Sequence, residues 1–154
     1  MSPVDSIHTP EGQIISLFPS GTSLNENKEL LIGGCLASEL VSTFGTPALI
    51  IDEAALRDRA RRYRDGLRSR WPNSEVIWAS KSLPLTSVFR LLGEEGLGVD
   101  VAGGGELVMA LAAGVNPSKI VMHGNAKTDD EIEMAVKAGV GTIVIDNFDD
   151  IDRL

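Results

Sequence analysis

An amine, two carboxylates, an imidazole and an amide recur at near-regular steps along this chain: Lys81, Asp100 and Glu106, His123 and Asn125. Lys81 ends the apolar run Val76-Ile77-Trp78-Ala79-Ser80. An amine held against an apolar wall loses hydration as the ammonium. That loss favours the free nucleophile, which can form a Schiff base with an aldehyde cofactor. The plainer reading is that Lys81 marks where a buried strand meets water and carries its charge outward. Asp100 precedes Gly103-Gly104-Gly105-Glu106, His123 opens His123-Gly124-Asn125, and Asp146-Asn147 closes the series. These too have structural readings: Asp100 as a helix cap, the glycines as a tight turn, Glu106 as a favourable charge at a helix N-terminus, His123 as a satisfied structural histidine. The triple glycine is not GxGxxG, and no GxxxxGK[ST] occurs, so neither nucleotide-binding signature is present.

What gives the set its force is where the elements must place it. From Val76 a unit repeats as strand, turn, helix, glycine, strand. The strand starts Val76, Val99, Ile120 and Ile143 lie 23, 21 and 23 residues apart, close to the length of a βα unit. Helical faces fall between them: Leu85, Val88 and Leu92; Leu107, Ala110 and Leu111; Ile132, Ala135 and Val136. Gly96, Gly114 and Gly139 end these helices, and Thr128 with Glu131 forms a capping box at the start of the last. Ile120-Val121-Met122 and Thr142-Ile143-Val144-Ile145 are apolar on both faces, as strands of a helix-covered parallel sheet are. Such repetition predicts either a doubly wound open sheet or a (β/α)8 barrel, and in both the functional groups gather at the C-terminal ends of the strands. Each candidate above falls at such an end. Four βα starts make half a barrel.

A chain of 154 residues with 43% hydrophobic content and mean hydropathy of +0.06 can bury one sizeable core. Twenty-two acidic against fourteen basic residues give a net charge of −8, which disfavours nucleic acid and anionic membrane surfaces as partners. Cys35 is the only cysteine, so no intramolecular disulfide and no Cys/His metal cluster is expected; a reducing cytoplasm suits it. The first residues carry neither a basic region nor a continuous apolar stretch, so no secretory signal is expected, and no segment has the length of a membrane span.

Ahead of the repeat, residues 1–31 mix Pro, Gly, Ser and Asn without a period and read as an irregular arm. From Cys35, the spacing of Leu36, Leu40 and Phe44 predicts a helix stopped by Gly45-Thr46-Pro47, and Ala48-Leu49-Ile50-Ile51 a short buried strand. Leu56, Ala60, Tyr63 and Leu67 form the apolar face of a helix whose other sides carry seven arginines between Arg57 and Arg70. Asp58 and Asp65 interrupt that run, which therefore reads as a solvated face rather than a phosphate patch.

Taken in order, Phe44-Gly45-Thr46-Pro47, Ile51-Asp52-Glu53, Trp78-Ala79-Ser80-Lys81-Ser82, Gly98-Val99-Asp100-Val101-Ala102, Gly104-Gly105-Glu106-Leu107 and His123-Gly124-Asn125-Ala126-Lys127 resemble the N-terminal part of the diaminopimelate decarboxylases. Val136 to Gly141 and Val144-Ile145-Asp146 continue the likeness, which covers about residues 32–154. The resemblance implies an α/β fold: about the first half of a TIM-like (β/α)8 barrel of the alanine racemase-like class, pyridoxal phosphate fold type III. It implies residues 32–52 as a helix and strand associated with a β-domain, and 53–154 as the truncated N-terminal half of the pyridoxal phosphate-binding barrel. It implies Lys81 as the residue that carries pyridoxal phosphate, with Asp100, Glu106, His123 and Asn125 near the cofactor. It further implies decarboxylation of meso-diaminopimelate to L-lysine, a small amino-acid substrate and a homodimer. Trp78 stands where tyrosine is usual, Ser82 where alanine is, and Gly103 where a small hydroxyl residue is. The phosphate-holding glycine loop, the glutamate facing the pyridine nitrogen and the C-terminal cysteine and tyrosine are not found in this sequence, so the chain alone is expected to be inactive. A decarboxylase acting on ornithine, arginine or a carrier-bound amino acid, and a non-catalytic fragment that binds a full-length homologue, stand as alternatives.

Overall fold

Between Thr22 and Leu36 the chain reverses twice to form three short antiparallel strands, β1 (Thr22–Leu24), β2 (Leu30–Ile32) and β3 (Cys35–Leu36), in the order β1-β2-β3. The computed structural model describes residues 14–154, and residues 1–13 of the expected arm lie outside them. The expectation of an irregular lead-in through residue 31 is therefore corrected from Thr22 onward. Asn25 makes the first reversal: its side-chain oxygen accepts from the backbone N–H groups of Asn27 at 3.0 Å and Glu29 at 2.9 Å, and Lys28 takes the left-handed φ of 64°. Strands of three residues are too short to show a period.

Helix α1 (Ala37–Phe44) follows, starting two residues later than Cys35 and ending at Gly45. Ala48 to Ile51 carry no strand pairing among the described residues, and Leu49, Ile50 and Ile51 are exposed, which corrects the expected buried strand. A four-residue apolar run sets a preference for strand, but a strand exists only with a partner. Near the start of α2 (Glu53–Arg68), the Asp52 side chain accepts from the Ala55 N–H at 3.0 Å, as a carboxylate at a helix N-terminus does. The chain divides inside α2, after Arg59, into two compact units. Of the expected apolar face only Ala60 is buried; Tyr63 and Leu67 are exposed. The arginine side behaves as read: Arg57 pairs with Glu53, Arg61 with Glu95 and Arg64 with Asp65, at 2.7–3.0 Å.

The second unit is the βα repeat. Strands β4 (Ile77–Ala79), β5 (Gly98–Val101), β6 (Ile120–Met122) and β7 (Thr142–Ile143) form one parallel sheet in sequence order. Helices α3 (Thr86–Glu94), α4 (Gly104–Ala112) and α5 (Asp129–Ala138) connect them, and α6 (Phe148–Arg153) follows β7. Gly96, Gly114 and Gly139 follow the three connecting helices with φ between 74° and 81°, a conformation open to glycine without a Cβ penalty.

Register sorts the sheet into two faces, because residues paired across a parallel ladder point the same way. Trp78, Val99 and Ile120 share one face with Val101, Met122 and Ile143. Val99, Val101, Ile120 and Met122 have no exposed surface there and form the core with Phe89, Leu107, Ala110, Val115 and Ala135 from the helices and their turns. The other face presents Ala79, Asp100, Val121 and Thr142, none of them fully buried. Burial on both faces, expected for Thr142 to Ile145, is thus not found: β7 is the last strand of the sheet, and Val144 and Ile145 are exposed.

Gly141 enters β7 with its N–H bonded to the Pro117 carbonyl, and a Cβ at that position would fall on the Ser118 carbonyl oxygen. Gly141→Ala is expected to cost about 1–3 kcal/mol of stability, because backbone on both sides must move to admit it. Urea unfolding checks this; an unchanged midpoint would mean that β7 approaches the 117–119 turn less closely.

Candidate active site at the strand ends

Lys81 sits in a 3₁₀ turn, Ser80–Ser82, directly after β4. The Leu83 N–H donates to the Ser80 carbonyl at 3.0 Å and Ser82 Oγ to the Ala79 carbonyl at 2.9 Å, and Pro84, which has no N–H, prevents the turn from running on as helix. Trp78 and Ala79 are half-buried, Ser80 is buried and Lys81 itself is exposed. The apolar wall expected from the preceding run therefore does not enclose the amine: Trp78 packs against the core and Ser80 is buried, while Ile77 and Lys81 are exposed. Among the described residues Lys81 has no hydrogen-bond or ion-pair partner.

One strand over, Ala79 of β4 is level with Asp100 of β5, and Asp100 with Val121 of β6. His123, two residues beyond Val121, continues the ladder with its N–H bonded to the Val101 carbonyl at 2.9 Å. Its ring Nδ1 lies 2.5 Å from Asp100 Oδ1. A carboxylate only accepts, so Nδ1–H donates and Nε2 remains the ring's available nitrogen. Asp100 therefore orients the histidine and does not cap α4.

The turn after His123 is held by geometry as well as bonds. Gly124 has φ of 119°, and a Cβ there would lie 2.8 Å from the Ala102 carbonyl oxygen. Asn125 is exposed on the wall of an open cleft of about 470 Å³ that it shares with Ala102, His123, Gly124, Ala126, Glu131, Val144 and Asp146. Glu106 stands beside this cleft and is already engaged: its Oε2 accepts from the Ala102 N–H at 2.6 Å. The structure thus joins Asp100 to His123, places Asn125 on the same cleft, commits Glu106 to the backbone and sets Lys81 at the neighbouring strand end, off the cleft wall.

Two features went unread in the sequence beyond the capping box. Glu131 closes that box on Thr128 and also reaches α4, where Oε1 accepts from the Gly104 N–H at 2.7 Å. The backbone N–H groups of Thr128 and then Gly104 hold its carboxyl below the usual glutamate range, outweighing the opposing effect of burial. A carboxyl depressed on folding contributes stability above its ordinary value of 4.5 and loses it as pH falls through the folded value. The urea-midpoint difference between wild type and Glu131→Gln is accordingly expected to be open near neutrality and to close in acid; a gap that stays constant with pH would refute the ionised bridge. The second feature is a buried ion pair, Lys127 with Asp150 at 2.8 Å, with Arg153 on the other carboxylate oxygen at 2.6 Å. Only Asp150's distance in sequence, three residues after Asn147 and beyond β7, hid this partner of Lys127.

Comparisons with known proteins bear on the same residues. Residues 53–154 match the family described as pyridoxal-dependent decarboxylase, pyridoxal binding domain. The chain is 44% identical over 138 residues to the diaminopimelate decarboxylase of Actinosynnema pretiosum subsp. auranticum, covering 90% of this chain and 30% of that protein. Among solved structures, the diaminopimelate decarboxylase of M. jannaschii in complex with L-lysine aligns with a TM-score of 0.78 at 27% identity, over 88% of this chain and 32% of that one. The lysine/ornithine decarboxylase of Vibrio vulnificus in complex with putrescine aligns at 0.68 with 27% identity, over 85% and 34%. The chain spans about 30% of the length of the curated relatives it matches.

Proposed function

Because the chain belongs to the pyridoxal-dependent decarboxylases, we propose that it is the cofactor-holding part of a diaminopimelate decarboxylase, with Lys81 as the amine that binds pyridoxal phosphate. The observation that carries the reading is Lys81 itself: exposed, without a partner among the described residues, and one strand away from the fixed Asp100–His123 pair. The four parallel βα units fit about half of the TIM-like barrel of the related decarboxylases.

The donor set fits the aldehyde and ring of that cofactor better than its phosphate. A lysine amine without a partner suits the aldehyde, and an imidazole held by Asp100 offers a flat face of fixed orientation to an aromatic ring. The cleft wall carries Glu131 and Asp146 and no lysine or arginine, so phosphate charge finds no cation there. The chemistry that pyridoxal phosphate supplies when bound is uptake by its ring of the electron pair left at the substrate α-carbon when carbon dioxide departs. The chain's own contributions are to present the Lys81 amine to the aldehyde and to fix the His123 ring through Asp100. Glu106 and Glu131 keep the β5–α4 turn in place by accepting the N–H groups of Ala102 and Gly104. With one sheet face open and phosphate contacts lacking, the chain alone is expected to capture the cofactor weakly and to release no carbon dioxide.

Residues 32–52 are assigned to a β-domain association, supported by the exposed apolar run Leu49 to Ile51, and the working enzyme is proposed to be a homodimer. meso-Diaminopimelate is the proposed substrate and L-lysine the product, supported by the names of the relatives at 44% and 42% identity. The likeness to the Vibrio vulnificus enzyme favours ornithine or lysine as the second reading. A carbon dioxide release assay on the full-length gene product separates them: meso-diaminopimelate should exceed L-ornithine, L-lysine and L-arginine in kcat/KM by at least ~100-fold, since a site built to pair polar substrate groups rejects ligands lacking them. A preference for ornithine or lysine would replace the first reading with the second.

A further inference from the structure

We propose that Lys127 and Asp150 are positioning residues that lock the turn carrying His123 and Asn125 to the turn after β7, and so hold the His123 ring where a bound ligand meets it. The lock stands on geometry alone; its effect on pyridoxal phosphate rests on the function proposed above.

The lysine and aspartate side chains are 0% and 2% exposed. Lys127 Nζ donates to the Gly124 carbonyl at 2.6 Å and to Asp150 Oδ2 at 2.8 Å. The same Oδ2 accepts from the Asp146 N–H at 3.1 Å, so one carboxylate oxygen ties the exit of β6 to the exit of β7. Arg153 completes the knot, donating to Asp150 Oδ1 and to the Lys127 carbonyl, each at 2.6 Å. Hydrogen bonding from Lys127, then from the Asp146 backbone, with the nearby charges of Lys127 and Arg153, holds the Asp150 carboxyl below the usual range.

A buried ion pair adds little net stability over apolar side chains of the same volume, so what this one contributes is a particular geometry. That geometry needs holding. Gly124, which separates His123 from Asn125, takes a φ of 119° and packs against the Ala102 carbonyl, and the Lys127 bond fixes its own carbonyl. Neither Lys127 nor Asp150 lines the cleft. They act through the turn, not on the ligand.

The test compares wild type with the double variant K127M/D150L, which removes both charges and keeps the volume, and with D150N, which keeps the shape and removes one charge. Amide exchange of residues 123–126, referenced to α4 and measured where the double variant is folded, should be at least ~10-fold faster than in wild type. Retention of pyridoxal phosphate should fall by about tenfold, while reductive modification of Lys81 by propionaldehyde, which has neither ring nor phosphate, stays the same. Unchanged exchange in the folded double variant overturns the lock; faster exchange with unchanged retention overturns the positioning role. If K127M/D150L unfolds, D150N decides by the same exchange ratio. A wild-type chain that retains no pyridoxal phosphate removes the cofactor reading, and exchange still decides the lock.

Discussion

Lys81→Ala is expected to remove most of the borohydride-fixed pyridoxal phosphate on this chain, because it removes the amine that the fold leaves available. The other four lysines are occupied: Lys119 pairs with Glu75, Lys127 with Asp150 and Lys137 with Glu133, and Lys28 also has a partner. Lys81 projects from a surface turn whose hydrogen bonds are made by backbone and Ser82, so alanine there leaves the fold intact. Absorbance on titration with pyridoxal phosphate, followed by reduction and intact-mass measurement, reads the effect. A Lys81→Ala chain that takes up the cofactor as wild type does would remove Lys81 from its role.

Phe89→Ala is expected to cost about 3–5 kcal/mol, the range for deleting a fully buried aromatic ring. Phe89 has no exposed surface, and its ring meets Trp78 edge-on, with centroids 5.3 Å apart and planes at 81°. The lost ring removes apolar burial, the aromatic contact and the support behind β4, the strand that leads into the Lys81 turn. Total stability of a domain this size is about 5–15 kcal/mol, so the variant should sit near the edge of folding. Urea unfolding by circular dichroism should show a large fall in midpoint with an unchanged slope. A loss under ~1 kcal/mol would mean that the core does not close over Phe89.

The βα half of the molecule was legible because several local signals agree there. Strand starts, the glycines at 96, 114 and 139 and the Thr128–Glu131 box each point to the same boundaries, and the described elements follow them, although Leu85 and Val136, expected on apolar helix faces, are exposed. Asp100 and His123 were legible as neighbours because a parallel sheet brings successive strand ends together. Four things were not. The β1–β2 hairpin rests on an Asn25 side-chain turn between strands too short for periodicity. Ala48 to Ile51 has the composition of a strand but no partner among the described residues, and composition cannot supply one. The exposure of Lys81 depends on a 3₁₀ turn that carries it off the sheet, and the Lys127–Asp150 pair on a contact across 23 residues, neither of which leaves a pattern in the local sequence.

Lys81, and no other lysine, is proposed as the cofactor amine. The direct measurement is to incubate the wild-type chain with pyridoxal phosphate, reduce with borohydride, digest and map the modified lysines by mass spectrometry. The pyridoxyl group is expected to concentrate on the peptide containing Lys81, with Lys28, Lys119, Lys127 and Lys137 at background. Modification spread over the exposed lysines without preference for Lys81, or concentrated on one of the others, would contradict it.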